Sequence, residues 1–271
     1  MTEQRVSALL AALLTLSFPV IGADLGAQSQ AVNRLLPALT QYIKEGMAKT
    51  HVPGVAVAVV YRDKVVYLQG FGVRQAGKPE LVDADTVFQL ASVSKPITST
   101  IVAGLVGDGT VSWDDRIADL DPEFQLSEPT IAAQVTVRDM LCHRTGLPTF
   151  AGDYLEDLGF TRPFILERMR QIPIKGTFRK TYEYSNFPYS EGALATAKQA
   201  GKVWEDLAEK RIFLPLGMAS TSYRYSDYCN RANKAAIHVF VDDQPVARYE
   251  REPDAEAPAG GASSNVRDMA A

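Results

Sequence analysis

Residues 53–72 read PGVAVAVVYRDKVVYLQGFG, and the way this stretch folds decides the architecture. Two runs rich in β-branched residues flank the polar triplet Arg62-Asp63-Lys64, a pattern that predicts a β-hairpin. Upstream, QAVNRLLPALTQYIKEGMAKT (residues 30–50) spaces its apolar residues by three and four, which predicts a helix with one face packed inward. Downstream, Gly70, Gly72 and Gly77 mark turns, and from Ser92 onward the strand signal fades. KPITSTIVAGLVGDG (95–109) reads as a helix that stops at Gly107-Asp108-Gly109. TVRDMLCHRTGLP (136–148) reads as a short helix ended by Gly146 and Pro148. RPFILERMRQI (162–172) and YSEGALATAKQAGKVWEDLAEKRIF (189–213) are further helices. Helix, hairpin and a long, mostly helical remainder make an α+β chain in which a sheet meets a helical region.

Composition sets bounds on function. A chain of 271 residues, 46% hydrophobic and 22% charged, is globular and large enough for a full core. Its net charge of −4 gives no electrostatic reason to expect nucleic acid as a partner. Neither GxxxxGK[ST] nor GxGxxG occurs, so nucleotide binding has no support, and no repeat of solenoid length is present. The histidines are His51, His143 and His238, with no HExxH and no CxxC, so the expectation is no metal and no cofactor. Cys142 and Cys229 are too few for a disulfide framework; they pair, or Cys142, in its apolar run, is a buried free thiol. At the N-terminus, Val6 to Gly22 carries no charge and small residues follow near Val20, Gly22 and Ala23. Residues 1–23 therefore read as an export signal, ahead of a domain over 24–271, in a periplasmic or secreted protein with no stable membrane insertion after cleavage. An uncleaved anchor or a buried N-terminal helix is the alternative, although Pro19 and the modest length disfavour an anchor.

The chemistry begins at FQLASVSKPI (88–97), where Ser92 and Lys95 stand three positions apart. A chain of this size contains about one S-x-x-K by chance, so the bare pattern is weak. On a helix, this spacing brings Lys95 to the same face as Ser92, one turn deeper. At a helix N-terminus, free N–H groups favour developing negative charge. A serine hydroxyl becomes a nucleophile only when a base removes its proton, and a desolvated lysine amine one turn away can help. The bland alternative is that Ser92 caps the helix and Lys95 is a solvated surface residue. KTYEYSNFPYSEGAL (180–194) adds Tyr184-Ser185-Asn186. A tyrosine beside an ammonium can act as a general base through its phenolate, and the Asn186 amide can grip a substrate amide or ester. Tyr228-Cys229-Asn230 offers the same residue types in a stretch that reads as a polar loop without a matching S-x-x-K. Tyr184 is the better candidate.

With both motifs in place, the chain resembles the serine β-lactamase-like family: class C β-lactamases, penicillin-binding DD-peptidases and β-lactamase-like esterases. The resemblance runs from about residue 36 to the end. It is carried by VPGVAVAVV, FQLASVSKPITS, LVGDGTVSWDDRIADLDPEF, TVRDMLCHRTGLP, YEYSNFPYSEGAL, IFLPLGMASTSY and APAGGASSNVRDMA, in the family's order. It implies the β-lactamase/transpeptidase-like fold, an α/β sandwich with a helical region. It also implies Ser92 as acyl-forming nucleophile, Lys95 as its activating partner, Tyr184 as general base and Asn186 as substrate and lysine contact. His143 matches a landmark that is mostly structural. Pro188 stands where a glycine is common, and Lys175-Gly176 replaces a more usual Pro-Gly. The family's third element, K-T-G or H/W-x-G on a strand across the cleft, is not found between Tyr184 and Ala271. The resemblance thus implies a chain lacking its C-terminal strands and helix, and with them one of two N–H donors to the oxyanion hole, Ser92 N–H being the other.

Function then reads as an exported serine hydrolase forming an acyl-enzyme with a β-lactam, a peptidoglycan-like D-peptide or a small ester. The alternative is a non-catalytic binding relative or an inactive fragment. A Ser-His-Asp triad has no support, because no G-x-S-x-G elbow occurs. Trp113, Phe150 and Tyr154 line a cleft wall or belong to the core.

Overall fold

The computed structural model describes the backbone of residues 21–271 and side chains from residue 30 onward. All but the last three residues of the export-signal reading lie outside the described residues. The first helix, α1 (Ile21–Thr50), carries Pro37 in its interior. Val32, Leu36, Leu39, Ile43 and Met47 are its half-buried face, while Leu35 and Tyr42 point to solvent. Thr40 Oγ1 meets Tyr67 Oη at 2.7 Å, tying the helix to the hairpin.

The hairpin forms where the sequence placed it. β1 (Gly54–Tyr61) and β2 (Lys64–Gly72) pair antiparallel from Gly54↔Gly72 to Tyr61↔Lys64, with one irregularity at Val59/Val60. Its two-residue turn, Arg62-Asp63, takes φ of 52° and 57°. Two successive left-handed residues are the mark of the turn that matches the twist of paired strands. Val82 N donates to Gly72 O, which directs the following segment back along the hairpin toward β3 (Phe88–Gln89). β3 pairs with β6 (Ser263–Ser264), and β4 (Val239–Val241) forms a separate hairpin with β5 (Gln244–Val246). Among the described residues the sheets are therefore three separate pairs, not one broad layer.

The helical region carries the core. α2 (Ser94–Gly107) buries Thr98, Ile101, Val102 and Leu105 on one face. α3 (Val137–Leu141) is short but closed by a capping box, in which Thr136 and Asp139 each bond the other's backbone N–H. Arg179 pairs with Asp139 at 2.9 Å. α3, and to a lesser extent α4 (Arg162–Arg168), packs on α5 (Asn186–Gln199); a Cβ at Gly192 would stand 2.6 Å from Met140 Cβ, so the backbones of α3 and α5 approach as closely as only glycine allows. The helix predicted over 189–213 is broken at Gly201 (φ 64°), and a second helix begins at Trp204.

Two expectations change. Cys142 is exposed, not buried, and neither cysteine is paired. Because α3 ends at Leu141, Cys142 falls on its C-cap while Val137 and Met140 turn inward. The Tyr228-Cys229-Asn230 triplet closes a helix (Tyr225–Asn230) rather than lying in a loop, and Tyr228 Oη donates to Ala235 O.

One buried acid stands apart. Glu191 of α5 faces a cavity of about 730 Å³ walled by Phe124, Leu166 and Leu194, on a different face of the helix from Asn186. Burial, then the charge of Asp121, raises its carboxyl from 4.5 to about 7. The folded chain thus holds a proton there that the unfolded chain releases, so this group's contribution to stability is present below about pH 4.5 and is lost as pH rises through about 7. Glu191→Gln removes the titration. Thermal melts are expected to show the variant gaining on the wild type between about pH 4.5 and about pH 7.5; a difference in Tm that is flat over that range contradicts it.

Candidate active site

From Phe88 the chain passes through a 3₁₀ turn, Ala91–Val93, into α2. Ala91 takes φ 46°, a left-handed conformation that costs energy without glycine and persists only where neighbours enforce it. Those neighbours are visible. Leu90 N donates to Ala262 O, Ser94 Oγ donates to Ala91 O at 2.6 Å, and Ala262 N donates to Ser94 Oγ. Ser92 consequently lies in the turn ahead of α2, not at its cap. The capping position is Val93, with no side-chain bond, so the bland reading of Ser92 as a cap does not hold. Ser92 is exposed, whereas Lys95 is 9% exposed.

Lys95 Nζ lies 2.5 Å from Tyr184 Oη, 2.6 Å from Asn186 Oδ1, 3.0 Å from Ala259 O and 3.2 Å from Ser92 Oγ. An ammonium has three N–H groups, so four acceptors cannot all be served at once. The longest contact is the one to Ser92, and Ser92 Oγ lies 2.5 Å from Tyr184 Oη. The short path for the Ser92 proton therefore leads to Tyr184, with Lys95 as the charge beside it. The four residues singled out in the sequence meet at one point.

Supporting residues hold them there. Tyr184 leads into α5, whose first residue is Asn186; Phe150 N donates to Tyr184 O, and Tyr189 Oη donates to Lys95 O at 2.7 Å. His143 accepts from Ser185 N at 3.2 Å through Nδ1, and its own carbonyl accepts from Glu183 N. Its ring lies against Tyr184 and Tyr189, with centroids 4.7 and 5.4 Å away. Burial, then the Lys95 charge, lowers the imidazole from 6.5 to about 4, so at neutral pH it is an uncharged acceptor. Of the aromatics considered for a cleft wall, Phe150 meets Tyr184 edge-on at 6.0 Å, Trp113 packs against the core, and Tyr154 is exposed.

Two contacts went unseen in the sequence. The Ala259 carbonyl comes from the short helix α6 (Ala257–Gly260), and a backbone carbonyl has no residue-type signature. Asp153, which opens the short helix Asp153–Asp157, accepts from Asn186 Nδ2 at 2.8 Å through Oδ2. No group of three or more His, Cys, Asp or Glu side chains among the described residues is arranged to hold a metal ion.

Known proteins share this arrangement of elements. A family model described as Beta-lactamase matches residues 39–271. An unguisins hydrolase, ungD', of Aspergillus campestris is 29% identical over 243 residues, covering 85% of this chain and 45% of that protein. Penicillin-binding protein 4 of Amycolatopsis lactamdurans is 29% identical over 216 residues, covering 78% and 55%. The chain thus spans about half the length of these curated relatives. Among solved structures, the octameric penicillin-binding protein homologue from Pyrococcus abyssi superposes with a TM-score of 0.71 at 23% identity, over 87% of this chain and 55% of that one. A class C beta lactamase gives 0.71 at 22%, over 87% and 63%. At these identities, the two superpositions establish the fold.

The environment of His143 is directly measurable. Its Cε1–H signal, assigned by its loss in His143→Gln, is expected to titrate near pH 4; a midpoint near the ordinary value of about 6.5 contradicts the buried, lysine-facing site.

Proposed function

The chain belongs to the beta-lactamase family, and from that premise we propose that it is an exported serine hydrolase whose Ser92 takes up the acyl group of a β-lactam, a D-peptide or a small ester. The observation that carries the reading is the contact of Ser92 Oγ with Tyr184 Oη at 2.5 Å beside the Lys95 ammonium. Ser92 Oγ attacks the acyl carbonyl carbon while its proton passes to Tyr184 in its phenolate form. The phenol proton then goes to the leaving nitrogen or oxygen as the acyl–leaving-group bond breaks, and an ester on Ser92 remains. Water attacks that ester with Tyr184 again taking the proton; the acyl–Oγ bond then breaks, the proton on Tyr184 passes to Ser92 Oγ, and the free acid leaves. Lys95 keeps its charge throughout and stabilises negative charge on the Tyr184 oxygen, the function a general base needs from a neighbouring cation. Asn186 steadies Lys95 through Oδ1 and stands beside the path of the substrate's amide or ester group.

Export rests on the uncharged run Val6–Gly22 and the small residues that follow it. Among the described residues no helix is long and apolar enough to cross a membrane.

A fluorescent penicillin or a fluorophosphonate tests the chemistry. The chain is expected to take one label, located at Ser92 by peptide mass, and Ser92→Ala none; Tyr184→Phe should slow labelling by about 10²–10⁴-fold. A folded chain that takes no label sinks the catalytic reading and leaves that of a binding relative. For export, mass spectrometry of the protein recovered outside the cytoplasm is expected to show a mature N-terminus near residues 21–24. An intact Met1 there contradicts it.

A further inference from the structure

We propose that Asp153 is a positioning residue of this site, holding the Asn186 side-chain amide in the single orientation that presents its oxygen to Lys95. The proposal rests on the reading of Ser92 as nucleophile, but the hold itself can be measured independently of labelling.

A primary amide has nearly the same shape either way round, with an acceptor at one end and two donors at the other. Lys95 offers only donors and an ionised Asp153 only acceptors. With Asn186 Oδ1 2.6 Å from Lys95 Nζ and Nδ2 2.8 Å from Asp153 Oδ2, both ends are matched. Turned by half a rotation, donor would face donor and acceptor would face acceptor. Lys95 alone selects the amide oxygen only while its charge stays in place, whereas Asp153 fixes the opposite end from a separate element. Without Asp153, the amide is free to turn whenever Lys95 leans toward Ser92 or Tyr184.

Asp153 is itself held firmly. It opens the helix Asp153–Asp157 immediately after Gly152, which takes φ 92°. A Cβ at Gly152 would stand 3.0 Å from Ile165 Cγ2 and 3.1 Å from Phe187 Cδ2, so the turn that delivers Asp153 is both left-handed and close-packed. The second carboxyl oxygen, Oδ1, is buried and without a hydrogen-bond partner among the described residues. Leaving a buried polar oxygen unpaired is unfavourable, and the observed benefit of placing the carboxyl there is the bond to Asn186.

The surroundings make the hold dependent on pH. Lys95 faces Asp153 from α2, Glu256 from the turn Asp254–Glu256, and Glu156 lies one turn on in Asp153's own helix. Arg251 sits between the last two, 3.2 Å from Glu156 and 2.5 Å from Glu256. Burial, then the Glu256 charge, raises Asp153 from 3.8 to about 6, with the Asn186 bonds and Lys95 pulling the other way. Burial and Glu256 also push Glu156 upward. As pH falls through about 6, Asp153 takes up a proton and its acceptor strength drops.

The test uses the whole ¹⁵N-labelled chain. The Asn186 side-chain amide signals, assigned by their loss in Asn186→Ala, are expected to move with a midpoint near pH 6, and Asp153→Asn, close in shape and uncharged, should abolish the movement. In parallel, Asp153→Ala should slow fluorophosphonate labelling of Ser92 by roughly 10–100-fold, the scale of a small misplacement of a reacting group. Asp153→Asn should recover part of that rate, because it still offers an oxygen, while losing the decline below about pH 6. Amide signals that stay still over this range, or Asp153→Ala labelling at the wild-type rate with the wild-type pH profile, overturn the proposal. A wild-type chain that takes no label while its amide still follows Asp153 removes the Ser92 reading and leaves the Asp153–Asn186 hold standing.

Discussion

A buried ammonium governs this molecule. Taking a lysine charge out of water costs several kcal/mol unless each N–H finds an acceptor. Lys95, 9% exposed, finds four acceptors on three segments: the turn at Ser92, the entry to α5 at Tyr184 and Asn186, and the carbonyl of Ala259. Those segments are far apart in sequence, so satisfying one side chain fixes the relative position of most of the helical region. The same requirement accounts for the C-terminal stretch folding back on the turn at Ser92. Ala259 supplies the acceptor, Ala262 bonds Leu90 and Ser94, and Ser263-Ser264 pairs with Phe88-Gln89.

A surplus of acceptors over donors gives the site its direction. Because three N–H groups face four oxygens, Ser92 has only the long contact, and its close neighbour is the Tyr184 hydroxyl. His143, lowered to about 4 by burial and the Lys95 charge, adds no competing positive charge at neutral pH and instead accepts the Ser185 N–H. Buried Tyr189 donates through its hydroxyl to the Lys95 carbonyl, bracing α2, while its ring centroid lies 5.5 Å from the Lys95 ammonium.

The sequence was informative wherever a residue type or a spacing is itself the signal. The hairpin followed from β-branched runs around Arg62-Asp63, whereas Ser92, Lys95, Tyr184 and Asn186 came from two short motifs together with the family resemblance of the stretches around them. Asp153 was invisible because an aspartate in a glycine-containing loop usually serves the turn, and its link to Asn186 spans 33 positions. Ala259 acts through its carbonyl, which every residue possesses. Cys142 misled because the apolar run VRDMLC suggests burial to its end, whereas a five-residue helix has turned the last position outward. Tyr228-Cys229-Asn230 read as a polar loop, because neither its helix nor its bond to Ala235 can be read from polar composition.

If the lysine organises the chemistry as well as the fold, its charge must matter beyond its bulk. Lys95→Met keeps an unbranched stem like that of lysine and removes the ammonium. The rate of Ser92 acylation by a fluorophosphonate, measured on a variant shown to be folded by circular dichroism, is expected to fall by about 10²–10³-fold, the scale of losing a group that stabilises developing charge. A folded Lys95→Met chain that acylates within about tenfold of the wild type would contradict the account.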